Sequence, residues 1–276
     1  MTKTQFFTPH PALQSFISYI LITNDTIDTR SESTVCHFPP TPHHCIVLYL
    51  SGPVKGKKID EKEFTLRPEC VIVGPQVTRM SLMVNKHHKA VLIGFQPGGL
   101  HRFLGIPMHE LFDDGFDGEA LIGPEVKSLL ERCSELHQLS AIKNEVEKFL
   151  IGKINFLKDI LPFDFAMHQL LQQRGNLSIN EAASLACLSL RQFERQCYER
   201  LGMSPKMYAR ITRFSHAYKI FERSTSVNWT SIAHQSGYYD QMHFIRDFKQ
   251  FAGVIPTLME QELAKAPIRF QADIRL

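Results

Sequence analysis

One stretch of this chain is written twice. Phe193-Glu-Arg195-Gln-Cys197-Tyr-Glu-Arg-Leu-Gly202-Met-Ser-Pro205 aligns with Phe244-Ile-Arg246-Asp-Phe248-Lys-Gln-Phe-Ala-Gly253-Val-Ile-Pro256 at a constant offset of 51 residues. Phe, Arg, Gly and Pro coincide at all four anchor positions. Upstream, Ala182 and Ala186 fall opposite Ala233 and Gly237, a pair of small residues four apart, as required where one helix crosses another closely. Whatever one copy folds into, the other must fold into as well.

Each copy reads as helix, tight turn, helix. In the first, Ser178-Ile-Asn-Glu181 is a capping box that starts a helix ending near Ala186, and Ser189-Leu-Arg-Gln192 is a second box that starts the next. The three residues Cys187, Leu188 and Ser189 between them define a helix-turn-helix. In the second copy the pattern predicts Thr230 as the first cap, Gly237-Tyr-Tyr as the turn and Asp240 as the cap of the following helix. Ser204-Pro205 supplies a cap and an N1 proline for a connecting helix from Pro205 to about Phe221. Its stripe of Tyr208, Ile211, Phe214, Tyr218 and Phe221 is read as core.

A helix presented on a compact two-helix support fits the DNA major groove, with base-reading side chains on its first turns and caps and lysines at phosphates. Phe193 and Cys197 face inward in copy one, which leaves Arg191, Gln192, Glu194 and Arg195 outside. Phe244 and Phe248 are the inward pair of copy two, which leaves Gln241, Met242, His243, Ile245 and Arg246. The expected DNA contacts are therefore Ser189, Arg191, Gln192, Glu194 and Arg195 in the first unit, and Gln241, Met242, His243, Arg246 and Lys249 in the second. Charge agrees in sign: the part from Leu161 onward carries 14 Lys+Arg against 10 Asp+Glu, the remainder 17 against 18.

The preceding part has a different texture. Leu13, Phe16, Ile17, Ile20 and Leu21 recur at helical spacing, so the chain is expected to open with a helix. Short apolar or alternating runs follow at Val35 to Phe38, Cys45 to Leu50, Glu63 to Leu66, Cys70 to Val73, Thr78 to Val84 and Ala90 to Gln96, separated by turn signals. Such strands suggest a β-barrel or sandwich. Helical periods return at Leu100 to Leu104, Pro107 to Phe112, Glu125 to Leu136 and Ser140 to Ile154, the last two a hairpin for the barrel or for a second subunit. The fold class is α+β, with domains at 1–155 and 163–276. Within the second, the two helix-turn-helix units lie at about 178–200 and 230–251, joined by the helix at about 205–221.

Several function classes are disfavoured. No apolar run approaches the roughly 18 residues of a membrane span, and the N-terminus lacks a signal-peptide pattern, so a cytoplasmic address and no membrane partner are expected. The six cysteines form no C-x-x-C pair and read as reduced structural thiols. His37, His43, His44, His87 and His88 lie among the strands with Cys36 and Cys45. Imidazoles and thiols of this kind can bind zinc, iron or nickel, but an H-x-H pattern with a following Glu is missing. No metal and no cofactor are expected, and His37 and His44 are carried as candidate ligand-binding residues. Gly98-Gly99 is no phosphate loop, and neither G-x-S-x-G nor a paired-carboxylate constellation appears.

The residues Ala186-x-x-Ser189-x-Arg191-x-Phe193-x-Arg195, Gly202-x-Ser204-Pro205-x-x-Tyr208, Arg213-x-x-x-Ala217, Ile232-Ala233-x-x-x-Gly237-Tyr238, Phe244-x-Arg246-x-Phe248-Lys249 and Gly253-x-x-Pro256 resemble the AraC/XylS family of bacterial transcription regulators. The resemblance runs from about Leu177 to Met259. It departs at Met242, where the family has a small polar residue, at Val254-Ile255-Pro256, which replaces Gly-x-[Ser/Thr]-Pro, and at Met259, which replaces a Tyr. Phe95-Gln-Pro97-Gly98-Gly99 with Phe103-Leu104-Gly105-Ile-Pro107 is similar to the cupin-like sensor domains of one subgroup. The resemblance implies a non-enzymatic regulator: a barrel that binds a small-molecule effector, flanking helices that pair two copies as a homodimer, double-stranded DNA as partner, and RNA polymerase if the protein is an activator. The rival reading is a metal-cupin enzyme whose C-terminal helices dock a partner protein.

Overall fold

The computed structural model describes residues 3–27, 34–224 and 227–265. Ten strands make two antiparallel sheets. The larger, in the order β1-β2-β9-β4-β7-β10, contains Lys3–Phe7 (β1), Ile17–Thr26 (β2), Cys45–Tyr49 (β4), Cys70–Val73 (β7), His87–Phe95 (β9) and Gly115–Asp117 (β10). The smaller, β3-β8-β5-β6, contains Val35–Phe38 (β3), Lys55–Lys58 (β5), Thr65–Leu66 (β6) and Met80–Met83 (β8). No described strand belongs to both sheets, so the expected barrel is not closed.

Alternation along the central strands explains their unbroken apolar runs. Ile46 and Leu48, Ile72, and Val91 and Ile93 point to one hydrophobic core, whereas Val47 and Tyr49, Val71, and Ala90 with Leu92 point to another on the opposite face. Strands buried on both sides lose the polar half of the period-two pattern. This also corrects the expected opening helix. Pro11–Leu13 is one 3-10 turn and Ile17–Thr26 is β2, buried on both faces, with Ile17, Ile20 and Ile22 in the first core and Tyr19 and Leu21 in a small separate cluster with Phe6 and Leu92. β-branched Ile at alternate positions suits a strand better than a helix.

The outer face of the larger sheet is covered by Gly99–Leu104 (α1), Gly118–Ile122 (α2) and the hairpin Glu125–Glu135 (α3) with Leu139–Ile151 (α4). Val126, Leu129, Cys133, Ile142, Val146 and Leu150 are all buried in the core they share with the sheet. Lys89 on β9 donates to the carbonyls of Cys133, Ser134 and Leu136, satisfying the end of α3. The stripe read from the sequence is thus used within the chain.

From Pro162 onward the described chain is helical: Pro162–Gln172 (α5), Ile179–Leu185 (α6), Leu190–Leu201 (α7), Pro205–Arg223 (α8), Trp229–Gln235 (α9), Gln241–Ala252 (α10) and Pro256–Lys265 (α11). They enclose one core in which Tyr208, Ile211, Phe214, Tyr218 and Phe221 of α8 meet Phe193 and Cys197 from one repeat and Phe244 and Phe248 from the other. At 1.5 Å per residue the 19 residues of α8 span about 28 Å. A bidentate ion pair from Arg200 to Asp164, with bonds of 2.7 and 3.0 Å, is buried between α7 and α5. Arg210 on α8 binds Asp247 on α10, which also accepts from Tyr238.

Candidate nucleic-acid interface and internal cavity

The two recognition helices are built alike, down to their caps. Ser189 accepts from the Gln192 backbone, and the Gln192 side chain returns a 3.1 Å bond to the Ser189 backbone. Asp240 accepts from the His243 backbone at 2.7 Å, and His243 Nδ1 lies 3.1 Å from the other carboxylate oxygen. The His243 backbone bond and nearby cations hold the Asp240 carboxyl below its usual range. Gln192 and His243 are equivalent positions, so both repeats use the third helical residue to close the cap. At the start of α9, Asn228 is the cap rather than Thr230, because its side chain accepts from Ser231 and the helix begins one residue later, at Trp229.

Arg191, Gln192, Glu194 and Arg195 are exposed on α7, and Gln241, Met242, His243, Arg246 and Lys249 on α10, while Ile245 is half-buried. Phe193, Cys197, Phe244 and Phe248 are fully buried behind them. Arg195 and Arg246 therefore stand at the same place on the same face of two equivalent helices. Tyr239, in the turn just ahead of Asp240, is 97% exposed. Sequence reading took it only as part of a turn, yet an aromatic hydroxyl at a helix N-terminus is well placed for a phosphate.

The N-terminal half docks on both repeats at one equivalent point. Gly202 and Gly253, each in the left-handed conformation, terminate α7 and α10. An added Cβ would collide with Pro75 and the Met108 carbonyl at Gly202, and with Ile59 at Gly253. Around them His109 stacks on Tyr198 at 4.8 Å, Val77 packs against the C-terminal core, and Arg79 binds Glu262 and the Met259 sulfur of α11.

Between the two sheets lies a cavity of about 120 Å³. Its walls are chiefly Phe38, Val47, Val71, Leu82, Val84 and Leu92, with Thr41, Arg67, Gln76 and His88 as polar lining residues. The segment 73–80 borders it and faces two ways. Val73, Gln76 and Met80 line the cavity, whereas Pro75, Val77 and Arg79 touch the helical half.

His37 and His44 do not line this cavity. His37 bonds Ser81 at 2.9 Å beside Arg79 and Glu262, and His44 is buried against the backbone of Leu201. Both belong to the contact between halves. Burial lowers His43, His44 and His88 to about 4, which leaves them neutral at physiological pH. Among the described residues no group of three or more His, Cys, Asp or Glu side chains is disposed to hold a metal ion. No described helix is long and apolar enough to cross a membrane.

Comparison with known proteins agrees with this geometry. Residues 182–262 match the family model described as a helix-turn-helix domain, and residues 5–117 match that of a domain of unknown function, DUF6597. No curated protein matches the chain. Among solved structures, an apo variant of ToxT from Vibrio cholerae strain SCE256 aligns with 90% of this chain and 97% of its own at 16% identity and a TM-score of 0.49. ToxT of the same strain with an unsaturated fatty acid bound gives 15% identity, 91% and 96% coverage and a TM-score of 0.47. The AraC-like activator CuxR gives 12% identity, 79% and 87% coverage and a TM-score of 0.26.

Two capped helix-turn-helix units on a shared connecting helix define a double-stranded DNA-binding module. Residues 182–262 are a helix-turn-helix domain, the class of module that binds double-stranded DNA.

Proposed function

We propose that this is a one-component regulator in which both repeats read adjacent major-groove segments and the N-terminal cavity takes a small-molecule effector. The observation that carries the DNA reading is the equivalence of Arg195 and Arg246, exposed at the same site of two helices whose inward positions, Phe193 and Cys197 or Phe244 and Phe248, correspond. Ser189, Arg191, Gln192, Glu194 and Arg195 serve the first segment. Gln241, Met242, His243, Arg246 and Lys249 serve the second, with Tyr239 added at a phosphate. Because Gln192 and His243 also close caps, their base contacts are secondary to those of the arginines. We divide the chain at 1–155 for sensing and 163–276 for DNA binding.

The effector acts through the segment 73–80. A ligand that shifts Gln76 or Met80 shifts their neighbours Val77 and Arg79, and with them the seating of the helical half. The protein acts without catalysis in the cytoplasm, where its six free thiols stay reduced. Two copies pair through an apolar surface near Phe156, which is 78% exposed. If the regulator is an activator, it meets RNA polymerase. The test is to sequence genomic DNA retained by the full-length protein and to footprint the enriched site. Two protected major-groove segments per subunit about 10 base pairs apart support the reading, whereas one protected segment makes the second repeat a structural support.

A further inference from the structure

The lining of the cavity between the sheets is mostly apolar and includes a single charged side chain, Arg67. Of its lining residues, His88 is held neutral by burial and the Cys45 thiol is pushed up to about 12. Arg67 is the one Arg, Lys, Asp or Glu among the lining residues. Its side chain is only 12% exposed, and its guanidinium stands 3.9 Å from the Met80 sulfur and 3.7 Å from Asp114, a carboxylate that is half in solvent. The first is a long hydrogen bond to a weak sulfur acceptor, and the second is a loose ion pair. A guanidinium has five N–H donors in a fork that matches a carboxylate, and a buried cation without a close partner is costly.

We propose that the cavity binds an apolar monocarboxylic acid, with its carboxylate on Arg67 and its hydrocarbon part between Val47, Val71, Leu82 and Leu92. The inference rests on the effector reading above and names the ligand class. Three features agree. The charge is single, so a dianion would lack a second partner. The remaining wall is chiefly aliphatic and aromatic, with few polar side chains, so a sugar or nucleotide would lose most of its hydrogen bonds with water. The volume is near the ~150 Å³ of an apolar protein cavity known to take benzene, which suits one ring or a short acyl chain. Arg67 also lies beside Met80, which borders the cavity on the segment that docks the DNA-binding half, so a carboxylate there sits next to the transmitting element.

The test compares charged and neutral versions of one shape. Phenylacetate and octanoate, each against its primary amide, are titrated into the full-length protein by calorimetry and thermal shift up to 10 mM, with wild type, Arg67→Met and Arg67→Lys. The expected result is that an acid binds wild type about tenfold or more tighter than its amide. The preference should vanish in Arg67→Met and survive in reduced form in Arg67→Lys. Equal binding of acid and amide to wild type, or a preference that persists in Arg67→Met, overturns the assignment of the carboxylate to Arg67 while leaving an apolar cavity. No binding of any probe to wild type overturns the effector cavity itself. The retained-DNA experiment is independent of both outcomes, so failure of the DNA-binding reading is recognised separately.

Discussion

Gly202 and Gly253, fifty-one residues apart, end the two recognition helices in the same left-handed conformation, and each rests against the N-terminal half of the molecule. The N-terminal half therefore touches both helix-turn-helix units at the same point of the repeat, through Pro75 and Met108 on one and Ile59 on the other. Both contacts lie at the C-terminal ends of α7 and α10, at the opposite end of each helix from its N-terminal cap.

Gly202→Ala should then do two things. A left-handed alanine costs about 1–2 kcal/mol, and its methyl group meets Pro75 and the rigid Met108 carbonyl. Urea melts should show a loss of that size or more, with faster proteolysis around 153–161. At Gly253 the obstacle is the flexible end of Ile59, so Gly253→Ala should cost less. Equal losses at the two glycines would show that the docking contact adds nothing to the backbone strain.

The buried pair of Arg200 and Asp164 gives a second outcome. Removing one partner strands a charge, and breaking such a pair costs about 3–5 kcal/mol. Asp164→Leu should be destabilised by that amount in chemical denaturation, and Asp164→Leu with Arg200→Met should recover most of it. A double variant no better than the single one would mean that the pair's shape, not its charge, holds α5 to α7.

Stability should also fall with acid. His43, His44 and His88 are buried, with folded pKa values of about 4 against an ordinary 6.5. Because the unfolded chain takes up these protons first, their contribution is complete above about pH 6.5 and is lost as pH falls towards 4. The slope is up to about 1.4 kcal/mol per pH unit for each histidine. His43→Gln should flatten the curve of melting temperature against pH over this window, and an unchanged slope would count against burial as the cause.

How much was legible in the sequence follows from what each signal depends on. The repeat, Ser178, Ser189, Ser204 and Asp240 are local features, and all four caps appear where the residue order put them. Asn228, the stronger cap type, takes the place expected of Thr230 because its side chain already satisfies Ser231. β2 read as a helix because burial on both faces removes its alternation. β5, Lys-Gly-Lys-Lys, carried no apolar signal at all and is a strand only because β8 and β6 flank it. Arg67 was a turn residue in sequence terms. Pairing within the smaller sheet brings it to Met80, and the apposition of the two sheets brings it to the cavity, so no spacing rule reveals it.

Salt will report on the phosphate contacts. With about six lysines and arginines at phosphates, affinity should fall with a log-log slope of about −5. Lys249→Ala should reduce that slope by about 1 and weaken all sequences alike. A change in base preference would instead place Lys249 at a base.

The central claim is that both repeats read DNA. It is tested most directly by measuring the affinity of wild type, Arg195→Ala and Arg246→Ala for the enriched genomic site and for a scrambled duplex, at one salt concentration. Each variant should keep the wild-type melting temperature and lose about 1–3 kcal/mol, roughly 5- to 150-fold, on the specific site only. Wild-type affinity in both variants would contradict the account.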